Sequence, residues 1–264
     1  VVWARALGHS AAVRLPVAQT LVLGLGTWMV YVLDRLLDAA AASGRLANAA
    51  AEQALQDRHW FHRQNQIVLV RLCWLAAGVL TLVCTQLPPR LVLFYLELGV
   101  PVAAYAVWVH RRLLWTSRLP VETAGGSVAK EAAVAVLFTA ATAAPAFAGA
   151  QPALRPALLG EAFLLALLCW LNCVVISHAE AGSALAVRSR QSRKLAVCAI
   201  GLAVSALAVY VARASSATGA VLLSSLLLLS LILAGRDSPQ GKLHIRIAAD
   251  LALLTPLLFV FSRS

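Results

Sequence analysis

Charged residues along this chain are sparse and clustered, and the runs between them are apolar and close to membrane length. Nineteen uncharged residues separate Arg14 from Asp34, enough for one crossing at about 1.5 Å per residue. Further crossings are expected at Leu72–Leu87, Leu91–Val109, Ala132–Ala150, Ala157–Ile176, Leu195–Ala212, Ala217–Ala234 and Ile247–Phe261. The pattern predicts an all-α fold, a polytopic membrane bundle of about eight transmembrane helices in one domain over 1–264. The first run is read as a retained crossing rather than a cleaved leader, because no small-residue cleavage site follows and it ends in acidic residues. Val1–Arg14 is too short and polar to cross, and is expected to lie at the interface or to add no helix.

Tight connections near 87–90, 151–156 and 213–218 alternate with longer polar loops at 34–66, 110–131, 177–194 and 235–246. The long loops hold 15 of the 22 Lys and Arg residues. An excess of Lys and Arg marks the cytoplasmic side, so these loops are expected there, as in a bacterial inner membrane. Composition agrees: 61% of residues are hydrophobic, 12% are charged, and the mean hydropathy is +0.82. The formal charge of +11 then points to an anionic lipid surface or anionic substrate rather than to nucleic acid. The five cysteines sit in apolar stretches, form no CxxC pair, and suit neither a disulfide framework nor a zinc site.

Candidate chemistry gathers at the end of the first crossing, Tyr31-Val-Leu-Asp34-Arg35-Leu-Leu-Asp38. Residues four apart share a helix face, so Asp34 and Asp38 either repel or hold a cation between them. Magnesium suits such a pair, since it takes one or two carboxylates and completes its shell with phosphates and water. A solvated helix end balanced by Arg35 has the same spacing.

This stretch resembles the first aspartate-rich motif of the UbiA superfamily of intramembrane prenyltransferases. The family pattern is Asn, Asp, Asp at four-residue steps, and Val30 stands here in place of the Asn. The stretch matching the second motif is Trp170–Glu180, with Asn172, Ile176 and Glu180 at the three steps, so the middle acid is missing. The resemblance implies Mg²⁺ held by Asp34, Asp38, Asn172 and Glu180, which would also be the catalytic set. The substrates would be a prenyl diphosphate and a lipophilic or aromatic acceptor. Tyr31, Arg35, Arg58, Lys130, Arg188 and Arg190 are the substrate-binding candidates. It also implies nine helices, one more than the eight counted. A terpene cyclase, a transporter and a non-catalytic membrane protein are the other readings of the same helices. Oligomeric state is not encoded in any of these features.

Three further features carry two readings each. The cluster Asp57-Arg58-His59-Trp60-Phe61-His62-Arg63 suits a lid with a general base, or an interfacial segment with aromatic residues at headgroup depth. Lys130-Glu131 marks either a membrane boundary or a cavity mouth. Glu97, Glu161 and Asp250 fall within or close to crossings, where an acid is expensive and functional by default. Arg246, four residues before Asp250, is its expected partner. Glu161 is expected to reach the headgroups, and Glu97 has no evident partner.

Overall fold

The structure, a computed structural model, describes residues 1–43, 64–115, 128–180, 185–234 and 239–260. Every regular element among them is helical. They are α1 (Val2–Ser10), α2 (Val17–Ser43), α3 (Gln66–Cys84), α4 (Pro89–Trp115) and α5 (Val128–Gly149), then a 3-10 turn at Pro152–Leu154. After it come α6 (Arg155–Glu180), α7 (Leu185–Arg213), α8 (Ser216–Ala234), α9 (Pro239–Ala252) and α10 (Pro256–Val260). Seven helices, α2 to α8, are long and apolar enough to cross a membrane, which fits an integral multi-pass membrane protein.

The chain divides into two compact units. The smaller, Pro16–Thr123, holds α2, α3 and α4; the larger joins Val1–Leu15 to Ala124–Ser264. In the smaller unit α2 packs against α3 and α4. Side chains such as Trp74, Leu82 and Val100 stay more than 60% exposed, as lipid-facing positions require.

The larger unit is packed through stripes of residues three or four apart, the spacing of one helix face. On α6 the stripe runs Leu158, Leu165, Leu168, Asn172, Val175 and Ala179; on α5 it runs Glu131, Ala135, Thr139, Thr142 and Ala146. Helices α7 and α8 pack against each other, and small side chains are buried on both, Ala199, Ala203 and Ala206 on α7 and Ala217, Ala220 and Ser224 on α8. Lipid is as apolar as leucine, so van der Waals contact between close backbones holds helices together here. Hydroxyls within the spans return to their own backbone: Thr81 donates to Ala77 O, Ser205 to Gly201 O and Ser225 to Val221 O. That spares hydrocarbon an unpaired polar group.

Two expectations are corrected. The segment Val1–Arg14 is not without a helix, and α1 is covered by protein, with Trp3, Ala4, Ala6 and Leu7 each at most 3% exposed. Nine residues make a marginal helix alone, so its packing against α5, α6, α8 and α10 sustains it. It ends at Ala12, which is left-handed at φ 55°, while Val13 N–H returns to Gly8 O at 2.7 Å. A Cβ on Gly8 would sit 2.9 Å from Val13 O, so the chain reverses there only past glycine.

The eighth crossing, expected at Ile247–Phe261, is not one continuous helix. It breaks at Leu253–Thr255, between α9 and α10. Pro256 has no N–H to continue the ladder and disfavours helical backbone at the residue before it. The carbonyls freed by the break find partners in other helices. Ser224 Oγ donates to Ala252 O at 2.8 Å, and Trp3 Nε1 donates to Leu253 O at 2.8 Å. Thr255 Oγ1 lies 2.6 Å from Ser224 Oγ and donates to Ala220 O at 3.1 Å. Irregular backbone among apolar side chains is tolerated when protein satisfies it in this way.

Ser224→Ala removes one donor to a buried carbonyl and the hydroxyl beside Thr255, which keeps its bond to Ala220 O, and should cost about 1–2 kcal/mol. Ser230→Ala should change little, since that exposed hydroxyl serves only Leu227 O of its own helix. Thermal unfolding in detergent compares the two. A Cβ on Gly219 would lie 2.9 Å from Phe259 and 3.0 Å from Tyr210, so Gly219→Val should destabilise by about 1–3 kcal/mol. Gly201→Ala, with nothing within 4 Å, should be neutral in the same assay.

Candidate functional site

The first acidic pair lies on one unbroken helix, as its spacing requires. α2 continues from Val17 to Ser43, so Asp38 follows Asp34 one turn along. No cap or proline interrupts the run, and alanines at 39–42 extend it into the polar segment. Asp34 Oδ2 lies 3.3 Å from Arg35 Nη2, and the two side chains are 25% and 21% exposed. The same guanidinium stands 5.4 Å from the centre of the Tyr31 ring. Neighbours in sequence do not face each other on a helix, so the long arginine curls back to reach the carboxylate while covering the tyrosine. A half-shielded pair of this kind contributes up to about 1 kcal/mol, with a similar amount from the cation–π contact. Tyr31, Asp34 and Arg35 therefore form one assembly in the smaller unit.

The second motif lies in the larger unit, at the end of α6. Asn172 sits within the buried stripe at 4% exposure, and its Oδ1 has no hydrogen-bond partner. Such an atom is rare enough in folded proteins to call for an explanation. Ile176, one turn on, is partly buried and packs against the apolar core. Around the neighbouring Cys173 gather charges from two other helices: Lys130 and Glu131 at the start of α5, and Asp250 from α9. Glu131 is 7% exposed, so it does more than mark a membrane boundary. Arg246 is the cation acting on Asp250, the partnership expected from their spacing. On α7, Ser192 Oγ lies 3.1 Å from His178 Nε2 of α6.

Of the other candidates, Arg58, His59 and His62 lie outside the described residues. The helical backbone carries Asp38, Glu180, Arg188 and Arg190, but their side chains lie outside them too. Glu97 is exposed on α4. Glu161 does not reach the headgroups as expected: it is 4% exposed, because α1 and the turn into α8 close over it.

Oxygen donors suited to magnesium stand at both motifs. Asp34 offers a partly shielded carboxylate, and Asn172 offers a buried carbonyl oxygen in want of a donor or a cation. Ile176 offers nothing. Among the described residues no three His, Cys, Asp or Glu side chains are close enough to hold an ion between them. A hard cation held at either motif by itself would take most of its shell from phosphate and water, as magnesium commonly does; Asp34 could supply carboxylate oxygen to it, and Asn172 one carbonyl oxygen.

Cys173 is a member of this neighbourhood that sequence reading placed only among the apolar cysteines. Glu131 was singled out with Lys130, and its burial follows from its place four residues before Ala135 and eight before Thr139, on the face that packs. No family model, curated protein or solved structure matches this chain.

Asn172→Leu replaces an unpaired buried acceptor by an apolar side chain of similar shape. Stability should stay level or rise by about 1 kcal/mol. A fall of that size on thermal unfolding would show that the amide serves packing rather than a ligand.

Proposed function

We propose that this chain is a Mg²⁺-dependent intramembrane prenyltransferase of the UbiA type, moving an isoprenoid group from a prenyl diphosphate to a lipophilic or aromatic acceptor. The observation that carries the reading is the Tyr31-Asp34-Arg35 assembly, with Asp38 one turn on, near the end of a membrane helix that runs into a polar segment. Carboxylate and guanidinium at the mouth of an apolar bundle suit an amphiphile with an anionic head and a hydrocarbon tail. A midplane transport site would not be expected to sit at a helix end.

Each group has a task in this reading. Asp34 and Asp38 hold the ion, with Asn172 and Glu180 as the weaker second set. Bound magnesium would offset the negative charge that grows on departing diphosphate. Arg35, Lys130 and the loop arginines Arg58, Arg188 and Arg190 are the cations available to the diphosphate oxygens. The allylic C–O bond breaks, the acceptor supplies the electron pair for the new bond, and an acceptor proton leaves. Apolar helix walls keep water from the allylic cation, which water would otherwise capture. The basic loops, and with them this site, belong on the cytoplasmic face of a bacterial inner membrane under the same reading.

The test is binding of geranylgeranyl diphosphate to the purified chain, with Mg²⁺ and with chelator. Binding should require the metal, and Asp34→Asn and Asp38→Asn should each weaken it at least tenfold, about 1.4 kcal/mol. Equal binding by the variants, or none by the parent chain, would reduce the aspartates to a solvated helix end.

A further inference from the structure

Between α7 and α8 the larger unit bears a groove of about 400 Å³, and every side chain lining it is apolar. Ile200, Val204 and Leu207 form one wall, and Leu222, Leu226 and Leu229 form the other. Ala203, 6% exposed, lies between them, where a small side chain leaves the space open. A two-residue turn, Ala214-Ser215, joins the helices, so the walls run antiparallel.

The α7 wall belongs to a longer stripe. Arg193, Val197, Ile200, Val204 and Leu207 follow at intervals of four and three, the spacing of one helix face. All five are exposed. On α8, Leu222, Leu226, Leu229 and Leu233 keep the same rhythm, and Leu233, 72% exposed, carries that wall toward the start of α7. Two exposed cations, Arg193 and Lys194, stand at the head of the stripe. Among the described residues neither is in an ion pair. The apolar span of α7 opens at Gln191, which sets both cations at the membrane boundary. Ile200 is then about 10 Å further along the helix and Val204 about 16 Å. The second distance is close to the midplane of a hydrocarbon core about 30 Å thick.

Any helix face in lipid touches hydrocarbon, but a concave face below a pair of cations engages two parts of one molecule. The groove suits a hydrocarbon tail, and guanidinium and ammonium suit a phosphate. The reach agrees, since a tail from one leaflet ends near the midplane, where Val204 stands. A second copy of this chain fits the face less well. Copies inserted in the same sense and paired through α7 would set Arg193 and Lys194 against their own counterparts, and like charges repel. We infer that α7 and α8 form a binding site for one anionic phospholipid, with its phosphate on Arg193 and Lys194 and an acyl chain in the groove. The site needs neither the metal nor the prenyl substrate of the reading above.

The test is native mass spectrometry of the full chain in detergent, titrated with phosphatidylglycerol or with phosphatidylcholine of the same acyl chains. The chain should retain one phosphatidylglycerol, at least fivefold more tightly than phosphatidylcholine. The double variant Arg193→Gln, Lys194→Gln should lose that preference, whereas Arg71→Gln, at an exposed cation on α3, should keep it. Val204→Trp fills the groove and should weaken retention at least fivefold. Leu227→Trp, at an exposed position outside the groove, should leave it unchanged. Equal retention of the two lipids would overturn the site, as would a preference that survives the double variant or falls as far in Arg71→Gln. Unaltered retention in Val204→Trp would overturn the part played by the groove; should that variant fail to fold, Leu226→Trp on the opposite wall decides the same point. Particles of two chains that Val204→Trp reduces to one would give this face to a second copy and overturn the lipid site.

Discussion

Backbone and side-chain polar groups in hydrocarbon have no water to turn to, and the architecture of this chain follows from that constraint. Long α-helices satisfy it within themselves, which is why every regular element described is helical. Where the helices depart from regularity, partners come from elsewhere in the sequence. The break at Leu253–Thr255 is the clearest case, since its carbonyls are served by Trp3 and Ser224. Apolar burial alone would not select these contacts. A missing donor among apolar side chains costs more than a single buried methyl group contributes.

The same constraint separates the polar groups that support the fold from those left over. Several hydroxyls along the spans bond to their own helix, as Ser205 and Ser225 do, or to the break, as Ser224 and Thr255 do. Asn172 Oδ1 and Glu161 Oε2, like Gln19 Oε1 and Thr139 Oγ1, are buried with no hydrogen-bond partner. The first two stand on one helix, toward opposite ends of α6. Asp34 represents a third situation, a carboxylate matched to an arginine and only partly shielded.

Much of the architecture was legible in the sequence because charge is costly in lipid and is concentrated at the ends of crossings. The runs between Arg14 and Asp34, or between Lys194 and Arg213, fix their helices by length alone. Asp34 and Asp38 were legible for a related reason, since a four-residue interval on an unbroken helix has one geometric meaning. The fate of the last run was harder to read. Ile247–Phe261 is apolar enough to cross, and Pro256 looks like an ordinary interruption until Ser224 and Trp3 are seen to complete the break. The burial of α1 was illegible because it depends on contacts with α5, α6, α8 and α10, whereas local polarity at Arg5, His9 and Arg14 argues for the interface. Glu161 misled for a similar reason: its position along the helix was right, but the neighbours that cover it come from residues 10 and 215.

The bond between Trp3 and Leu253 spans 250 positions, and its consequence lies in the order of assembly. α1 is made long before α10, yet it packs against it. Between them in sequence lies the whole smaller unit, which interrupts the larger one as an insertion. During synthesis α1 must therefore wait for α10 while the crossings between them enter the bilayer. Loop closure over such a distance is slow compared with pairing of adjacent helices. The contacts of α1 with the break at Leu253–Thr255 thus form late, after the helices between them have been made.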